Sequence, residues 1–244
     1  MAGQSKWHQI RHKKGAEDAK RGKIFTRHAH LITIAARQGG GDPEMNPALR
    51  LAIENAKKDN VPAANIERAI KRGTGELKDA AEITEETYEG YGPAGVAFIV
   101  EALTDNKNRT FTNIRTIFSK RGGSLGESGS VRWMFERKGI IQLNTEGKDI
   151  DALELAAIDA GCEDVEREDG MLLVTTAPNE LMQVVEALKK AGVEPEQAEL
   201  ALIPKNTVSV SAEDAQKVMN LIDALEEDPD VSNVHTNAIF PEES

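Results

Sequence analysis

The sequence predicts a multi-domain α and α+β protein: an N-terminal three-helix domain, then two α+β domains of ferredoxin-like pattern, the third inserted in the second. Three observations predict it. The first 75 residues carry helix punctuation without a convincing strand, residues 138–204 hold a complete β-α-β-β-α-β order, and one βαβ unit stands unmatched on either side of that order. The implied boundaries are 1–78 for a basic helical domain, 79–137 with 205–244 for a discontinuous α+β domain, and 138–204 for the inserted α+β domain.

Each element has its own signal. An amphipathic stretch over residues 18–38 ends at Gly39-Gly40-Gly41-Asp42-Pro43, where triple glycine and an X-Pro step cannot continue a helix. A second helix starts at Asn46-Pro47, a cap followed by proline in the first turn, and runs to about Asn60; a third follows Pro62 and stops at Gly73. The segment "GTGELKDAAE" reads as a linker with two glycines, so an independent helical lobe is expected.

Further on, "GVAFIVEAL" is a strand apolar on both faces. "NRTFTNIRTIFSKRGG" is a helix with Phe111, Ile114 and Phe118 on one side, and "SVRWMF" reads as a strand. Then come "GIIQL", a helix over 149–160 closed by Gly161, "EDVERE", an Asp169-Gly170 hairpin turn, "MLLVTT", a helix after Pro178, and "AELALI". After Pro204 a strand "TVSVS", a helix opened by a Ser211-x-x-Asp214 capping box and a last strand "DVSNVHTNAIF" make a second βαβ, which has no partner unless it pairs with the one at 94–135.

The composition, 39% hydrophobic and 29% charged, is that of a soluble globular chain. The longest apolar runs, such as Val96 to Val100, fall far short of the roughly 20 residues that span a bilayer. With no apolar signal segment either, a cytoplasmic protein without a membrane partner is expected. Cys162 is the sole cysteine, which excludes an intrachain disulfide and a cysteine zinc site.

Charge is segregated. Residues 1–72 hold 15 of the 30 Lys and Arg but 7 of the 41 Asp and Glu, leaving +8 there and −19 in the remaining 172 residues. Like charges gathered in one small region repel each other unless an anionic partner relieves them, which points to nucleic acid. At 100° per residue Lys20, Lys23, Arg27, His30 and Arg37 share one face of the first helix, opposite Ile24, Phe25, Leu31, Ile32, Ala35 and Ala36. An arm ahead of it sets Lys6, Arg11, Lys13 and Lys14 around Trp7, and the third helix adds Arg68, Lys71 and Arg72. The plainer alternative is a solvated charged face with Trp7 plugged into the helical core.

Other motifs carry less. His8 and His12 have the spacing of paired metal ligands, without an acidic or cysteine third ligand. The glycine-rich "RGGSLGESGSV" leads from helix to strand and lacks the Gly-Lys-Ser/Thr ending of a phosphate loop, so it reads as a connector. "LTDNKNRT" gathers residues that cap helices and close turns. No Ser/His/Asp, Cys/His or paired-carboxylate arrangement stands out, so neither an enzyme nor a cofactor is expected.

The strings "MAGQSKWHQIRHKKGAEDAKRGKIFTRHAHLITIAARQGGGDPEMNPALR", "ERAIKRG", "YEGYGPAGVAFIVEALTDNKNRT", "GGSLGESGSV" and "LIDALEEDPDVSNVHTNAIF" closely resemble the YebC/PmpR family of probable transcriptional regulators. The resemblance covers essentially the whole chain. It implies a helical domain followed by two α+β domains, the third inserted in the second. It also implies two roles that need not exclude each other: a DNA-binding transcriptional regulator, and a ribosome-associated translation factor assisting elongation, as the related mitochondrial translational activator of cytochrome c oxidase looks to be. The partner is duplex DNA in the first case and ribosomal RNA in the second. The acidic domains are left to a protein partner, and the chain, matching the family's opening motif from its first residue, is expected to be a bacterial member.

Overall fold

The computed structural model describes residues 17–77, 81–168 and 170–241, with side chains from residue 22 onward. The predicted turn residue Asp169 lies outside them, with Gly170 taking the left-handed conformation beside it. The fold is multi-domain α and α+β, with the third part inserted in the second.

Three helices open the described chain, α1 (Glu17–Gly39), α2 (Pro47–Lys58) and α3 (Ala63–Gly73). Their common core is Ile32, Ala35, Ala36, Leu49, Ala56, Val61, Ile66 and Ala69. The corner between α1 and α2 is built around Asn46. Its Oδ1 accepts from the Leu49 amide at 3.1 Å, and its Nδ2 donates to the carbonyls of Ala35 and Gly40 at 2.8 and 2.9 Å. Gly39 is required there, because a Cβ would stand 2.6 Å from that Nδ2.

The discontinuous sheet has the order β3-β1-β2-β9, from β1 (Thr84–Tyr91), β2 (Ala97–Thr104), β3 (Ser124–Leu125) and β9 (Val231–Thr236). All three neighbouring pairs are antiparallel, so β2 and β3 run parallel with β1 between them and α4 (Lys107–Lys120) as their crossover. β9 follows α7 (Ala212–Glu226) and pairs with β2 from Phe98↔Thr236 to Ala102↔Val231. The two stretches that the sequence left unmatched therefore close on each other. α4 and α7 cover one face through Phe98, Val100, Ile114, Phe118, Val218, Leu221, Ile222 and Leu225.

Packing divides the chain into two compact units, Met1–Phe135 with Pro204–Ser244, and Glu136–Ile203. The second holds β4 (Phe135–Asn144), α5 (Ile150–Asp159), β5 (Asp164–Glu168), β6 (Met171–Thr176), α6 (Leu181–Lys190) and β7 (Gln197–Pro204), in the sheet order β5-β6-β4-β7. Two short strands, β8 (Val208–Ser209) and β10 (Ala238–Ile239), pair in parallel in the first unit.

Three differences from the sequence reading have physical causes. The helical segment shares a unit with the discontinuous sheet instead of standing apart, because Leu31 and Ile34 of α1 pack against Ile83 and Leu103. Strand β1 was not expected, since "TEETYEGY" puts Glu85, Glu86 and Glu89 in a short run that reads as solvated. "SVRWMF" is largely a 3₁₀ turn at Arg132–Met134, because the amides of Val131 and Arg132 donate to the Glu89 carboxylate and are lost to any ladder. The strand that follows α4 is instead Ser124–Leu125, inside the glycine-rich stretch.

Candidate nucleic-acid interface

The predicted contact surface was the basic face of the first and third helices. α3 lies tightly on α1: Thr33 Oγ1 donates to the Ala29 and Ala69 carbonyls at 2.7 and 3.1 Å, and a Cβ on Gly73 would meet the Thr33 carbonyl at 2.3 Å. With Ile66 and Ala69 turned inward, Arg68 and Lys71 stand one turn apart on the exposed side. Among the described residues neither forms an ion pair. Lys57, exposed in the last turn of α2, likewise forms none. Lysines and arginines in final turns also complement helix dipoles, which accounts for part of their placement.

The other predicted residues are distributed differently. Lys6, Trp7, Arg11, Lys13 and Lys14 lie outside the described residues; so do His8 and His12, and the side chain of Lys20. Arg37 is exposed at the end of α1 but its Nη1 pairs with Glu82 at 2.8 Å. Arg72 is half-buried and donates from Nη2 to the Ala81 carbonyl at 2.5 Å.

Lys23 and Arg27 do not face solvent as the helical wheel implied. Both are half-buried, and Arg27 Nη2 donates to Asn233 Oδ1 at 2.8 Å; Asn233 Nδ2 in turn donates to Glu101, which His235 also meets at 3.1 Å. Burial pushes the Lys23 amine below its ordinary range, and the carboxylates of Glu226 and Asp228 restore part of the loss. The wheel assumed one packing partner for α1, whereas α1 has two: α2 and α3 on one side, and the sheet on the other. Ile24, assigned to the packed face, is 40% exposed for the same reason. The signal was present in "LITIAA", residues 31–36, which is apolar nearly all round and so marks a helix covered on more than one side.

The histidines of α1 are structural. His28 is buried, with Nε2 2.6 Å from Asp59 Oδ2 at the end of α2. His30 is half-buried; burial, then the Arg72 guanidinium, push its imidazole below the ordinary value, while a hydrogen bond to the Leu103 backbone acts in the opposite sense. Among the described residues no three His, Cys, Asp or Glu side chains gather as metal ligands would, and no helix is long and apolar enough to cross a membrane.

Replacing Arg27 by alanine is expected to cost about 1–2 kcal/mol, the scale of a half-buried charged hydrogen bond, and, if its half-buried place keeps it off any nucleic-acid contact, to change the binding of DNA by less than about twofold. Urea unfolding with a parallel DNA titration reads both. Unchanged stability with lost binding would return Arg27 to the contact surface.

Two family models match this chain: TACO1/YebC protein N-terminal domain over residues 5–76, and TACO1/YebC second and third domain over residues 83–238. The chain belongs to the TACO1/YebC family. Similar proteins include a probable transcriptional regulatory protein of Fusobacterium nucleatum, 53% identical over 100% of this chain and 98% of its own length. Another, of Persephonella marina, is 55% identical over 97% of this chain and 95% of its own length. The crystal structure of a conserved hypothetical protein from Aquifex aeolicus is similar with a TM-score of 0.91 and 48% identity, over 98% of each chain.

In this TACO1/YebC chain the polar turn "LTDNKNRT" is spent on architecture. Asn106 caps α4 through the Arg109 amide, while Thr104, Arg109 and Thr110 all donate to the buried carboxylate of Asp230. The glycine-rich loop is held by Glu89, whose Oε1 accepts from the Gly129 amide at 2.7 Å and whose Oε2 accepts from Val131 and Arg132 at 2.8 and 2.7 Å. Neither anchoring carboxylate was singled out from the sequence.

Proposed function

We propose that the chain is a nucleic-acid-binding regulatory protein that meets duplex DNA through the exposed cations of its helical segment and acts as a transcriptional regulator in the cytoplasm, without catalysis. The observation that carries this is the exposed Arg68 and Lys71 on the outer face of α3, in no ion pair among the described residues, inside a segment of net charge +8 in a chain of net charge −11. The names of the similar proteins, probable transcriptional regulatory protein, support it. Arg37 and Arg72 flank these two, and the arm carrying Lys6, Trp7, Arg11, Lys13 and Lys14 belongs to the same proposed surface.

One observation favours a second reading, a ribosomal-RNA-associated translation factor. Lys57, Lys58, Lys71 and Arg72 lie in the last turns of α2 and α3 and Arg68 in the middle of α3, whereas a recognition helix reads base edges from its N-terminal residues, and α3 opens with Ala63, Ala64 and Asn65. Such a surface holds phosphates without reading sequence.

Titration of wild type and the Arg68→Glu/Lys71→Glu variant with duplex DNA and structured RNA over a salt series tests the surface. With about six phosphates engaged, log K falls against log[salt] with a slope near −5 on duplex DNA. The variant is expected to flatten that slope by about two and to lose at least about 30-fold in affinity near 0.15 M salt. Unchanged affinity on both polymers would overturn the surface. Co-sedimentation with ribosomes, abolished by the same variant, would decide for the second reading.

A further inference from the structure

The acidic body carries a second, local basic region. Between Asn106 and Phe135 the only acidic residue is Glu127, against Lys107, Arg109, Arg115, Lys120, Arg121 and Arg132. Lys107 is paired with Glu86 and Arg109 with Asp230. Among the described residues Lys120, Arg121 and Arg132 enter no ion pair.

Beside them stands an aromatic pair that the core does not use. Trp133 is 62% exposed, and its Nε1 donates to the Ser130 carbonyl at 3.1 Å. Tyr91, 37% exposed, donates from its hydroxyl to the same carbonyl at 3.4 Å. Both rings are thus tied to one backbone atom, in a loop whose neighbouring amides are fixed by Glu89. Arg132 adjoins Trp133 in sequence, and Arg121 closes α4 three residues before Ser124, the β3 residue paired with Tyr91. A large ring held in one orientation yet left to water, with Arg132 next to it in the chain and Arg121 at the end of the helix that leads to the strand partner of Tyr91, has the two parts of a single-strand site: a π-face for a base and cations for its phosphates. In a duplex the base faces are already stacked, so only an unpaired base could use such a ring.

We propose that Trp133, with Tyr91, Lys120, Arg121 and Arg132, forms a stacking platform for an unpaired nucleobase of single-stranded nucleic acid. It is separate from the helical-segment surface and would engage looped-out or melted strands beside whatever that surface holds.

The chain has two tryptophans, so full-length protein carrying Trp7→Phe reports Trp133 alone. Its fluorescence is expected to be quenched, saturably, by short oligo(A) or oligo(U) RNA or by single-stranded DNA of the same sequence, and far less by a duplex. Reversal of Arg121 and Arg132 to Glu should weaken the quenching transition about tenfold or more. By competition binding, Trp133→Ala should lose about tenfold in single-strand affinity while Trp133→Phe keeps most of it, in line with the worth of one stacked base. Because the indole is exposed, both variants should unfold at the wild-type urea midpoint. Quenching by RNA but not DNA would make the site RNA-selective and still support the platform. Absence of quenching by any single strand, equal quenching by a duplex, or equal affinity of the Ala and Phe variants would overturn it. Duplex binding retained while no single strand quenches would overturn the platform and leave the helical surface standing.

Discussion

Glu89→Ala is expected to destabilise the first compact unit by about 3–5 kcal/mol, among the largest effects available outside its apolar core. The carboxylate is buried and accepts three backbone N–H groups, from Gly129, Val131 and Arg132. Charge-assisted bonds of this kind contribute about 1.5–3 kcal/mol each, less the cost of burying the carboxylate, and their removal strands donors that no longer reach water. The loop's other ties are uncharged, the Gly126 amide on the Glu89 carbonyl, the Ser130 amide on the Glu127 carbonyl and the two rings on the Ser130 carbonyl, while Gly129 sits at φ +89° and the 3₁₀ turn that follows is a single one. Glu89→Gln should recover about half of the loss. With its oxygen toward Val131 and Arg132, its amide nitrogen faces the Gly129 N–H, donor against donor. Urea unfolding reads the magnitude, and amide hydrogen exchange reads the place, with Gly129, Val131 and Arg132 accelerating first. Wild-type exchange at those three amides in the alanine variant would show that the loop is held by something else.

That anchor also shows where a sequence loses sight of a fold. Helix ends and the β-α-β-β-α-β order were legible because their causes are local: Asn46-Pro47, the glycines after α1, the capping Ser211, the period of Leu181, Val184, Val185 and Leu188. Arg68 and Lys71 were legible on the same ground, since Ile66 and Ala69 fix which side of α3 is wet. Glu89 was not, because its partners lie some forty residues away and are backbone amides, which no pattern of side chains records. The half-burial of Lys23 and Arg27 was missed for a related reason. A helical wheel ranks faces by polarity, but a long amphipathic side chain can lie against a second surface when that surface offers Asn233 and the carboxylates near the end of α7. The strand β1 escaped because its charged positions are used in place, Glu86 by Lys107 and Glu89 by the loop.

Asp230→Ala is expected to cost about 3–5 kcal/mol, and Asp230→Asn less, with a pH signature that identifies the cause. Asp230 precedes β9, and its buried carboxylate accepts from Thr110 at 2.6 Å, from Arg109 Nη2 at 2.7 Å and from Thr104 at 3.2 Å; its carbonyl accepts from the Leu103 amide at 2.8 Å. One residue therefore ties the returning chain after the insertion to both the end of β2 and the start of α4. Burial alone would raise its carboxyl pKa, but the hydrogen bonds from Thr110 and Arg109 outweigh it and hold the group below its ordinary value of 3.8. For a carboxyl lowered by folding, the unfolded chain takes up the proton first as pH falls. The stabilisation is complete above the unfolded value, near 3.9, and is lost as pH drops through the folded one. The stability difference between wild type and Asp230→Asn should accordingly be constant above about pH 5 and shrink below about pH 4. Chemical denaturation of both proteins at a series of pH values measures that difference directly, and subtracts the titration of carboxylates they share. Curves that stay parallel down to about pH 3, or a difference that grows with acid, would show that the Arg109 and Thr110 contacts do not favour the ionised form.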